Sequence, residues 1–372
     1  MAAKSYFFAG GGTGGHIYPA AAVAEQISKL SPESRIHFFV SGRDIDKHVL
    51  SKTNFEYTVL PAVGLSVRPD KLWRFCRMFC ASSKIASEAL SKSDKPIVIG
   101  VGGYVAGPVC WAAHRLKVPV MLLNVDIVPG RANKLIARWA ERIYVQFEDT
   151  AEYFGRHKSK VVAVGCPLRG SFENPNPERA KEALGLDKNK KILLITGASS
   201  GSQNINRTVC ALLDRLGDYA DSWQIVHLTG RANFEEVKRG YANAKIYNKV
   251  VDYWDDMADL LAAADLLIGR SGAVSVAEYA AAGVPSICMP YPYHKDVHQY
   301  LNAGKLVEAG AAIIVDDVGD DKDRRDWLWE ELEPILKDDK LRLEMKEGCK
   351  RIGKKDAARK IAEELIAERA KL

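Results

Sequence analysis

The sequence lacks several features that would by themselves indicate a membrane, metal-binding or disulfide-bonded protein. No apolar run approaches the roughly 18 residues needed to cross a bilayer, because glycine, proline or charged residues interrupt each one. The seven cysteines are scattered, with no Cys-x-x-Cys pair and no ligand-like spacing to histidine. We therefore predict a reduced, cytosolic chain without a structural metal.

An excess of one charge is also missing. The chain has 53 lysines and arginines against 47 aspartates and glutamates, which gives a net charge of +6 spread along the sequence. Nucleic-acid-binding proteins usually carry their positive charge in a stripe or patch, so we exclude a nucleic-acid partner. The mild excess is compatible with phosphate groups or acidic lipid as ligands.

Short apolar runs alternate with helical stretches along the chain. The runs are almost continuously apolar, which is typical of parallel strands covered on both faces. Alternating strands and helices predict an α/β fold built on doubly wound parallel sheets. The predicted strands are 5–9, 35–40, 96–100, 118–123, 142–147, 161–164, 191–196, 224–228, 265–269, 285–290 and 311–315.

The pattern is interrupted once, between residues 165 and 190, by a stretch rich in proline, asparagine and charge. We therefore predict two Rossmann-like domains, 1–165 and 166–340, that face each other across a cleft. A charged helical tail, 341–372, is expected to pack back on the first domain. Ligands of such sheets bind beyond the carboxyl ends of the strands, where the glycine-rich turns lie.

The first such turn follows the first predicted strand. Gly10, Gly12 and Gly15 fit Gly-x-Gly-x-x-Gly between a strand and a helix, a pattern typical of binding an anionic ligand at a helix N-terminus. An NAD site also needs an acidic residue about 20 positions later. That place reads Ser-Gly-Arg at 41–43, so NAD is disfavoured, while Arg43 leaves NADP open.

Two further patterns give weaker signals. The turn "TGASSGSQ" (196–203) resembles that of short-chain dehydrogenases, but Tyr241 and Lys245 lie too near to be the matching Tyr-x-x-x-Lys. It keeps the physical content of backbone N–H groups aimed at phosphate. Asp44-x-Asp46 resembles a metal-binding pair, and we interpret it instead as a surface ion-pair cluster with neighbouring basic residues.

Together, several motifs resemble one known family. "GGGTGGHIYPAAAVAEQI", "GVGGYVAGP", "GCPLR", "GASSGSQNIN" and the long segment from "DDMADLL" to "HQYLNA" occur in the order found in the MurG family. This resemblance implies the two-domain GT-B fold. It also implies inverting transfer of N-acetylglucosamine from UDP-N-acetylglucosamine to lipid I, giving lipid II for peptidoglycan synthesis, with roles in cell-wall biogenesis, cell shape, cell division and the cell cycle.

The resemblance also implies a donor site and no cofactor. It implies that the serine contacts the diphosphate, the glutamate binds the ribose hydroxyls and the glutamine holds the sugar hydroxyls. It also carries over the arginine that follows the interdomain Gly-x-Pro, and a tryptophan whose backbone contacts the uracil edge. The start of the first helix is assigned to the donor as well. The predicted donor residues are Thr13, Gly14, Gly15, Arg169, Ser199, Trp254, Ala273, Val274, Ser275, Glu278 and Gln299.

Sugar transfer with inversion requires a base for the attacking hydroxyl. His16 directly follows the glycine loop and has an ordinary pKa near working pH, so it is the first candidate. Asp126 stands where the family has an asparagine near the reaction centre, and it is the rival base. The glycine loops and a tyrosine are predicted to hold the acceptor: Gly11, Gly12, Gly102, Gly103 and Tyr104.

A lipid-linked acceptor also requires a surface that meets the membrane. Residues 68–84 interleave basic and aromatic residues on a predicted helix, as interfacial helices do. We predict membrane contact by Leu72, Trp73, Phe75 and Phe79, and a peripheral location on the cytoplasmic face. Periodicity alone leaves open an ordinary amphipathic helix packed on the sheet.

Alternatives remain open at this point. A UDP-N-acetylglucosamine 2-epimerase would share the fold and the donor, and a related glycosyltransferase could use another acceptor. An NADP oxidoreductase and a non-enzymatic nucleotide-sugar sensor are disfavoured by the ribose position and by His16. Besides Asp126, the chain departs from the family at His298, where the family has glutamine before Gln299.

Overall fold

A computed structural model of the chain describes residues 5–65, 68–198, 201–294 and 296–371. The contacts divide the chain into two compact units. Unit 1 runs to Arg169 and includes the C-terminal segment from Asp356, and unit 2 is Gly170–Lys355. The fold class is therefore α/β with two separate sheets, as the alternating pattern predicts.

Unit 1 is built on seven parallel strands that are mostly buried and apolar. The strands are β1 (Ser5–Ala9), β2 (Arg35–Val40), β3 (Glu56–Val59), β4 (Ile97–Gly100), β5 (Val120–Asn124), β6 (Arg142–Val145) and β7 (Val161–Ala163). Their order in the sheet is β3-β2-β1-β4-β5-β6-β7.

Helices connect these strands and cover the sheet. They are α1 (Gly14–Leu30), α2 (Asp44–Leu50), α3 (Pro69–Ser91), α4 (Gly103–Arg115) and α5 (Arg131–Ile136), with 3₁₀ turns over Glu148–Lys160. On one face of this sheet, α3 and α4 pack against strand residues such as Phe39, Val98 and Leu122, all fully buried.

Unit 2 repeats the plan with six parallel strands. These are β8 (Lys191–Thr196), β9 (Trp223–Leu228), β10 (Asn248–Val251), β11 (Leu266–Gly269), β12 (Ser286–Cys288) and β13 (Ala312–Ile314), in the order β10-β9-β8-β11-β12-β13. The helices are α6 (Pro177–Leu184), α7 (Gln203–Cys210), α8 (Leu213–Gly217), α9 (Phe234–Gly240), α10 (Met257–Ala263), α11 (Ala273–Ala282), α12 (His298–Glu308), α13 (Asp321–Lys337) and α14 (Asp339–Ile352). Short 3₁₀ turns cover Gly170–Phe172 and Arg231–Asn233.

Two strands, β3 and β10, are absent from the sequence prediction. Both lie at a sheet edge, and their residues are exposed or half-buried. An edge strand needs no continuous apolar run, because only one side is paired and its faces are incompletely covered. The remaining strands were predicted to within a few residues.

The strand order places one switch point in each sheet. The first three strands of each sheet are added toward one edge and the later strands toward the other edge. The change occurs between β1 and β4 in unit 1, and between β8 and β11 in unit 2. Ligands of open α/β sheets bind outside the carboxyl ends of the strands at such points. The turns that follow these four strands contain all the glycine-rich motifs singled out from the sequence.

The C-terminal segment differs from the single tail expected from residue 341. Helix α14 stays in unit 2, where Cys349 Sγ lies 3.4 Å from the Val284 carbonyl. Helix α15 (Ala357–Ala370) belongs to unit 1, packing on α1, and Arg369 donates to the carbonyls of Lys95 and Asp94 at 3.2 and 3.1 Å. The segment between the two helices therefore divides the tail.

Candidate active site

The glycine loop after β1 requires glycine for reasons of local packing. Gly10 has φ +155°, and a Cβ on it would lie 2.2 Å from Cγ2 of Val101 and 2.8 Å from the Gly102 carbonyl oxygen. The loop after β1 thus lies directly on the loop after β4. The two glycine motifs that are 90 positions apart in the sequence form one surface at the switch point of unit 1.

A buried carboxylate stabilises this loop by hydrogen bonds. Asp46 is fully buried, accepts the Gly12 N–H at 2.7 Å and accepts the Ser41 hydroxyl. Arg43 donates to the Gly12 carbonyl at 2.9 Å. The interpretation of Asp46 as part of a surface ion pair was therefore wrong, because its side chain is buried and stabilises the loop by hydrogen bonds.

This contact also corrects one step in the phosphate argument. The N–H of Gly12 is already bonded to a carboxylate, so in this structure it is not available for a phosphate oxygen. The predicted role of Gly12 then depends on its shape and not on its amide. The role of Gly11 stays a prediction.

His16 lies where the two glycine loops meet. Its Nδ1 is 3.1 Å from Oγ1 of Thr13, and a Cβ on Gly102 would lie only 2.9 Å from its Nε2. Gly102 has φ +107°, so both backbone conformation and the imidazole exclude a larger residue there. The structure thus brings together His16, Thr13 and Gly102, three residues predicted separately.

The surroundings of His16 favour its neutral form. Burial lowers the pKa of His16 below the ordinary 6.5, while the nearby carboxylates of Asp126 and Asp46 act to raise it. Burial is the largest of these effects. A neutral imidazole at neutral pH has a lone pair and can accept a proton, as a base must. Asp126 is half-buried and lies within electrostatic reach of that ring.

Two asparagines that the sequence prediction missed organise the segment that carries Asp126. Asn124 Nδ2 donates to the Asp126 carbonyl at 2.7 Å, and Asn133 Nδ2 donates to Asn124 Oδ1 at 2.9 Å. Asn133 Oδ1 is buried, has no hydrogen-bond donor in the described part of the chain, and lies 3.1 Å from the Cβ position of Gly102. Unpaired buried acceptors are uncommon in native proteins, and this one lies beside the same glycine, Gly102, that His16 contacts.

The start of α1 carries the predicted donor residues Thr13, Gly14 and Gly15. Thr13 is the N-cap but makes no side-chain cap hydrogen bond, and the first turn contains no acidic residue. The first N–H groups of a 17-residue helix therefore present a partial positive charge. This geometry suits an anionic group; which substrate it contacts stays a prediction.

Arg169 belongs to unit 1 and not to the second predicted domain. Its guanidinium lies 4.9 Å from the centre of the Tyr18 ring on α1. Tyr104, predicted to line the acceptor path, begins α4 together with Gly103. Its ring is half-buried and packs against the hydrophobic core, so part of this side chain has a structural role.

In unit 2, the turn after β8 leads into α7. Ser202 is the N-cap of α7, and its Oγ accepts the Ile205 N–H at 3.4 Å. The predicted diphosphate contact Ser199 lies outside the described residues. Four further donor predictions follow β11, at the second turn of the switch point of this sheet: Ala273, Val274, Ser275 and Glu278.

A buried arginine that the sequence prediction did not assign connects these two turns. Arg270 donates to Ser202 Oγ at 2.7 Å and to the Met289 carbonyl at 2.8 Å, and pairs with Asp317 Oδ2 at 2.6 Å. Asp317 also accepts from Asn204 of α7 at 2.8 Å. A charged residue directly after the apolar strand "DLLIG" was the available signal, since a buried arginine needs a carboxylate partner.

Helix α11 begins three residues after Arg270, and its N-terminus has no side-chain cap. Gly272 is its N-cap, and the first turn contains no acidic residue. Ala273 is buried and Val274, Ser275 and Glu278 are half-buried. Asn302 of α12 donates to the Ser271 carbonyl at 3.4 Å, which fixes α12 beside this turn.

The other two donor predictions lie on neighbouring elements. Gln299, in the first turn of α12, accepts the Tyr291 N–H through Oε1 at 2.9 Å, so its carbonyl oxygen already has a partner. Trp254 follows β10, and its buried indole N–H has no acceptor in the described part of the chain. Their contacts with a donor stay predictions.

Helix α3 divides the predicted membrane residues into two groups. Leu72 and Trp73 are exposed, at 43% and 66%. Phe79 lies 3.7 Å from the Cβ position of Gly107 on α4, and the Phe75 ring lies tilted against the Phe79 ring with their centres 5.8 Å apart. The side of α3 that carries Phe75 and Phe79 therefore packs on its own unit, as the alternative of an ordinary amphipathic helix predicts. Among the described residues, no helix is both long and apolar enough to cross a bilayer.

Comparison with known proteins adds independent evidence. Two protein-family models match the chain. The model described as "Glycosyltransferase family 28 N-terminal domain" matches residues 6–145, and the one described as "Glycosyltransferase family 28 C-terminal domain" matches residues 192–365. The chain is 34% identical over 362 residues to the UDP-N-acetylglucosamine--N-acetylmuramyl-(pentapeptide) pyrophosphoryl-undecaprenol N-acetylglucosamine transferase of Acetivibrio thermocellus, covering 95% of each chain. It is 35% identical over 360 residues to that of Halothermothrix orenii, covering 93% of this chain and 94% of the relative.

Solved structures agree on the fold. The crystal structure of Acinetobacter baumannii MurG matches with a TM-score of 0.74 and 24% identity, over 98% of this chain and 99% of that one. The UDP-GlcNAc 2-epimerase from Neisseria meningitidis, bound to UDP-GlcNAc, matches with a TM-score of 0.71 and 15% identity, over 98% and 100%.

Two parallel α/β units with glycine-rich turns at both switch points define a glycosyltransferase of the GT-B class. Within that class, the identity along almost the whole chain is specific. The chain belongs to the MurG family.

Proposed function

We propose that this protein transfers N-acetylglucosamine from UDP-N-acetylglucosamine to a lipid-linked N-acetylmuramyl-pentapeptide, with inversion at the anomeric carbon. The observation that carries the proposal is His16 placed between the two glycine loops at the switch point of unit 1. Membership of the MurG family supplies the substrate classes, because its members are named for this reaction.

In the proposed reaction, neutral His16 accepts the proton of the acceptor hydroxyl. The hydroxyl oxygen forms the new glycosidic bond, and the bond from the anomeric carbon to the phosphate oxygen of UDP breaks. Asp126 holds a negative charge near the imidazolium that forms, which stabilises it.

The departing UDP carries negative charge away, so positive potential is needed where it leaves. Each unit has one helix N-terminus without a side-chain cap that supplies partial positive charge: that of α1 in unit 1 and that of α11 in unit 2. The Arg169 guanidinium adds a full charge. We expect no cofactor for this chemistry.

The direct test is incubation of the purified protein with labelled UDP-N-acetylglucosamine, with and without a lipid I analogue. The proposal expects UDP release and labelled product only when the acceptor is present. Release of UDP without acceptor, together with N-acetylmannosamine, would instead identify a 2-epimerase. Transfer to a different acceptor alone would identify a related glycosyltransferase.

The two candidate bases are separated by pH dependence. Because burial lowers the pKa of His16 below 6.5, its neutral form dominates at pH 7, and kcat/KM should fall only as the pH drops below about 6.5. Asp126→Asn removes a charge that raises this pKa, so the acid limb should move to still lower pH. The pH profile of kcat/KM, with an NMR titration of His16, measures both effects.

The exposed Asp44 provides a matched control, since it does not contribute to the pKa of His16. Asp44→Asn should leave the acid limb in place. If Asp126→Asn abolishes turnover at every pH, then Asp126 is the base and His16 is not.

We further propose that the protein works at the cytoplasmic face of the membrane, and that α3 makes the contact. Leu72 and Trp73 are exposed beside the exposed basic residues Arg74 and Arg77, with the Arg77 guanidinium 5.6 Å from the Trp73 ring. An apolar tip surrounded by arginine suits an anionic bilayer interface.

Trp73→Glu should weaken binding to anionic vesicles by about tenfold, because it removes the exposed ring that would enter the bilayer interface and adds repulsion near acidic lipid. Transfer to a soluble acceptor analogue should be unchanged. Leu343→Glu, which changes an apolar residue of α14 that is 62% exposed, serves as the control. Equal vesicle binding by both variants and the unmodified protein would contradict the assignment of α3.

A further inference from the structure

The loop after β12 and the first residue of α12 carry a side-chain cluster that has no part in the proposed reaction. His294, Asp296 and His298 each offer a possible metal-ligand atom, and these atoms all lie within 4.8 Å of one another. The three residues have His-x-Asp-x-His spacing in the sequence. The sequence prediction, which examined cysteines for ligand-like spacing, missed this signal.

Two hydrogen bonds accompany the close approach of the two imidazoles. The Val297 N–H donates to the His294 carbonyl at 3.1 Å, closing a turn, and Val297 has φ +45°. The Tyr291 N–H donates to Gln299 Oε1 at 2.9 Å and closes the larger loop. The rings of His294 and His298 stack with their centres 4.4 Å apart.

Hydrogen bonding also determines which nitrogens are available. Nδ1 of His298 lies 2.7 Å from Asp296 Oδ1, so this nitrogen carries the proton and donates to the carboxylate. In the neutral ring, Nε2 of His298 then has a lone pair, and it lies 3.1 Å from Nδ1 of His294. A carboxylate that orients a histidine in this way is the usual outer partner of a metal-binding imidazole.

From this geometry we propose that His294 and His298 bind one divalent transition-metal ion, with Asp296 orienting His298 or adding a third ligand. Two imidazoles and a carboxylate suit Zn²⁺, Ni²⁺, Cu²⁺ or Co²⁺ and discriminate against Mg²⁺. The Asp296 side chain is 52% exposed, so the site has an entry path and room for water ligands. The proposal is independent of the sugar substrate.

The test uses untagged, full-length protein freed of metal with a chelator, titrated with Co²⁺ and with Zn²⁺ against a chromophoric competitor. We expect one ion per chain, and a Cu²⁺ spectrum by electron paramagnetic resonance with two coupled nitrogens. His294→Gln should lower the affinity at least tenfold, and Asp296→Asn by about 10–100-fold. His298→Gln, which installs the residue of the family pattern, should match His294→Gln.

Two controls exclude other sites on the chain. His114→Gln alters an exposed histidine that stacks on Trp139, and it should leave binding unchanged. Exposed Cys76 and Cys80 could also hold Zn²⁺, so the one-ion stoichiometry should persist when both are replaced by serine. Absence of one-ion binding in the unmodified protein, or equal affinity in the His294→Gln variant, would overturn the proposal and indicate only a hydrogen-bonded histidine pair.

Discussion

Replacement of His16 by alanine is expected to lower kcat by about 10²–10⁴-fold, the usual contribution of a general base. The imidazole is the titratable group that touches both glycine loops, and burial keeps it neutral at working pH. Its loss removes the proton acceptor but leaves the elements of unit 2 intact. We therefore expect the affinity for UDP to change by less than about threefold, measured by calorimetry alongside kcat.

His114→Ala is the matched control for this variant, because it removes an exposed imidazole of the same unit that contacts Trp111 and Trp139. It should retain full turnover. Thermal melting of both variants should show the same global stability as the unmodified protein. A large loss of UDP affinity with little change in kcat would mean that His16 holds the donor and is not the base.

Replacement of Asp317 by alanine is expected to destabilise unit 2 by about 3–5 kcal/mol, the usual cost of removing one partner of a buried ion pair. The Asp317 side chain is fully buried against the guanidiniums of Arg270 and Arg324, at 2.6 and 3.7 Å. Without it, two charges remain in the interior with too few partners. Because Arg270 also bonds Ser202, the turns at the switch point of unit 2 should loosen, and UDP affinity should fall.

Asp316 provides a control one position earlier, since it is exposed and accepts a hydrogen bond from the Tyr300 hydroxyl at 2.8 Å. Asp316→Ala should cost less than about 1 kcal/mol. Native-state hydrogen exchange read by mass spectrometry assigns the lost stability to unit 2, which a global melting curve of a two-unit chain does not. Equal protection in the two variants would show that the buried network contributes little.

The sequence was sufficient for the elements that depend on local pattern. Almost continuous apolar runs predicted β1 and β8 with their observed bounds, because strands covered on both faces bury nearly every side chain. The glycine-rich turns were also evident, since the backbone at Gly10 and Gly102 excludes a side chain. By contrast, β3 and β10 could not be read, because edge strands tolerate polar residues.

The sequence by itself thus determined the fold class, the position of the glycine turns and His16 as a candidate base. Only the tertiary structure decided which polar residues are internal. Asp46 and Asp317 look like surface charges in the sequence, and their burial depends on partners brought to them by the sheet: Gly12 for one and Arg270 for the other. The side of the boundary on which Arg169 packs, and the division of the C-terminal helices between units, were likewise decided by contacts between distant segments. Such contacts leave no periodic trace in the sequence, because they satisfy hydrogen bonds and charges one residue at a time, whereas strands and helices repeat the same requirement at every turn.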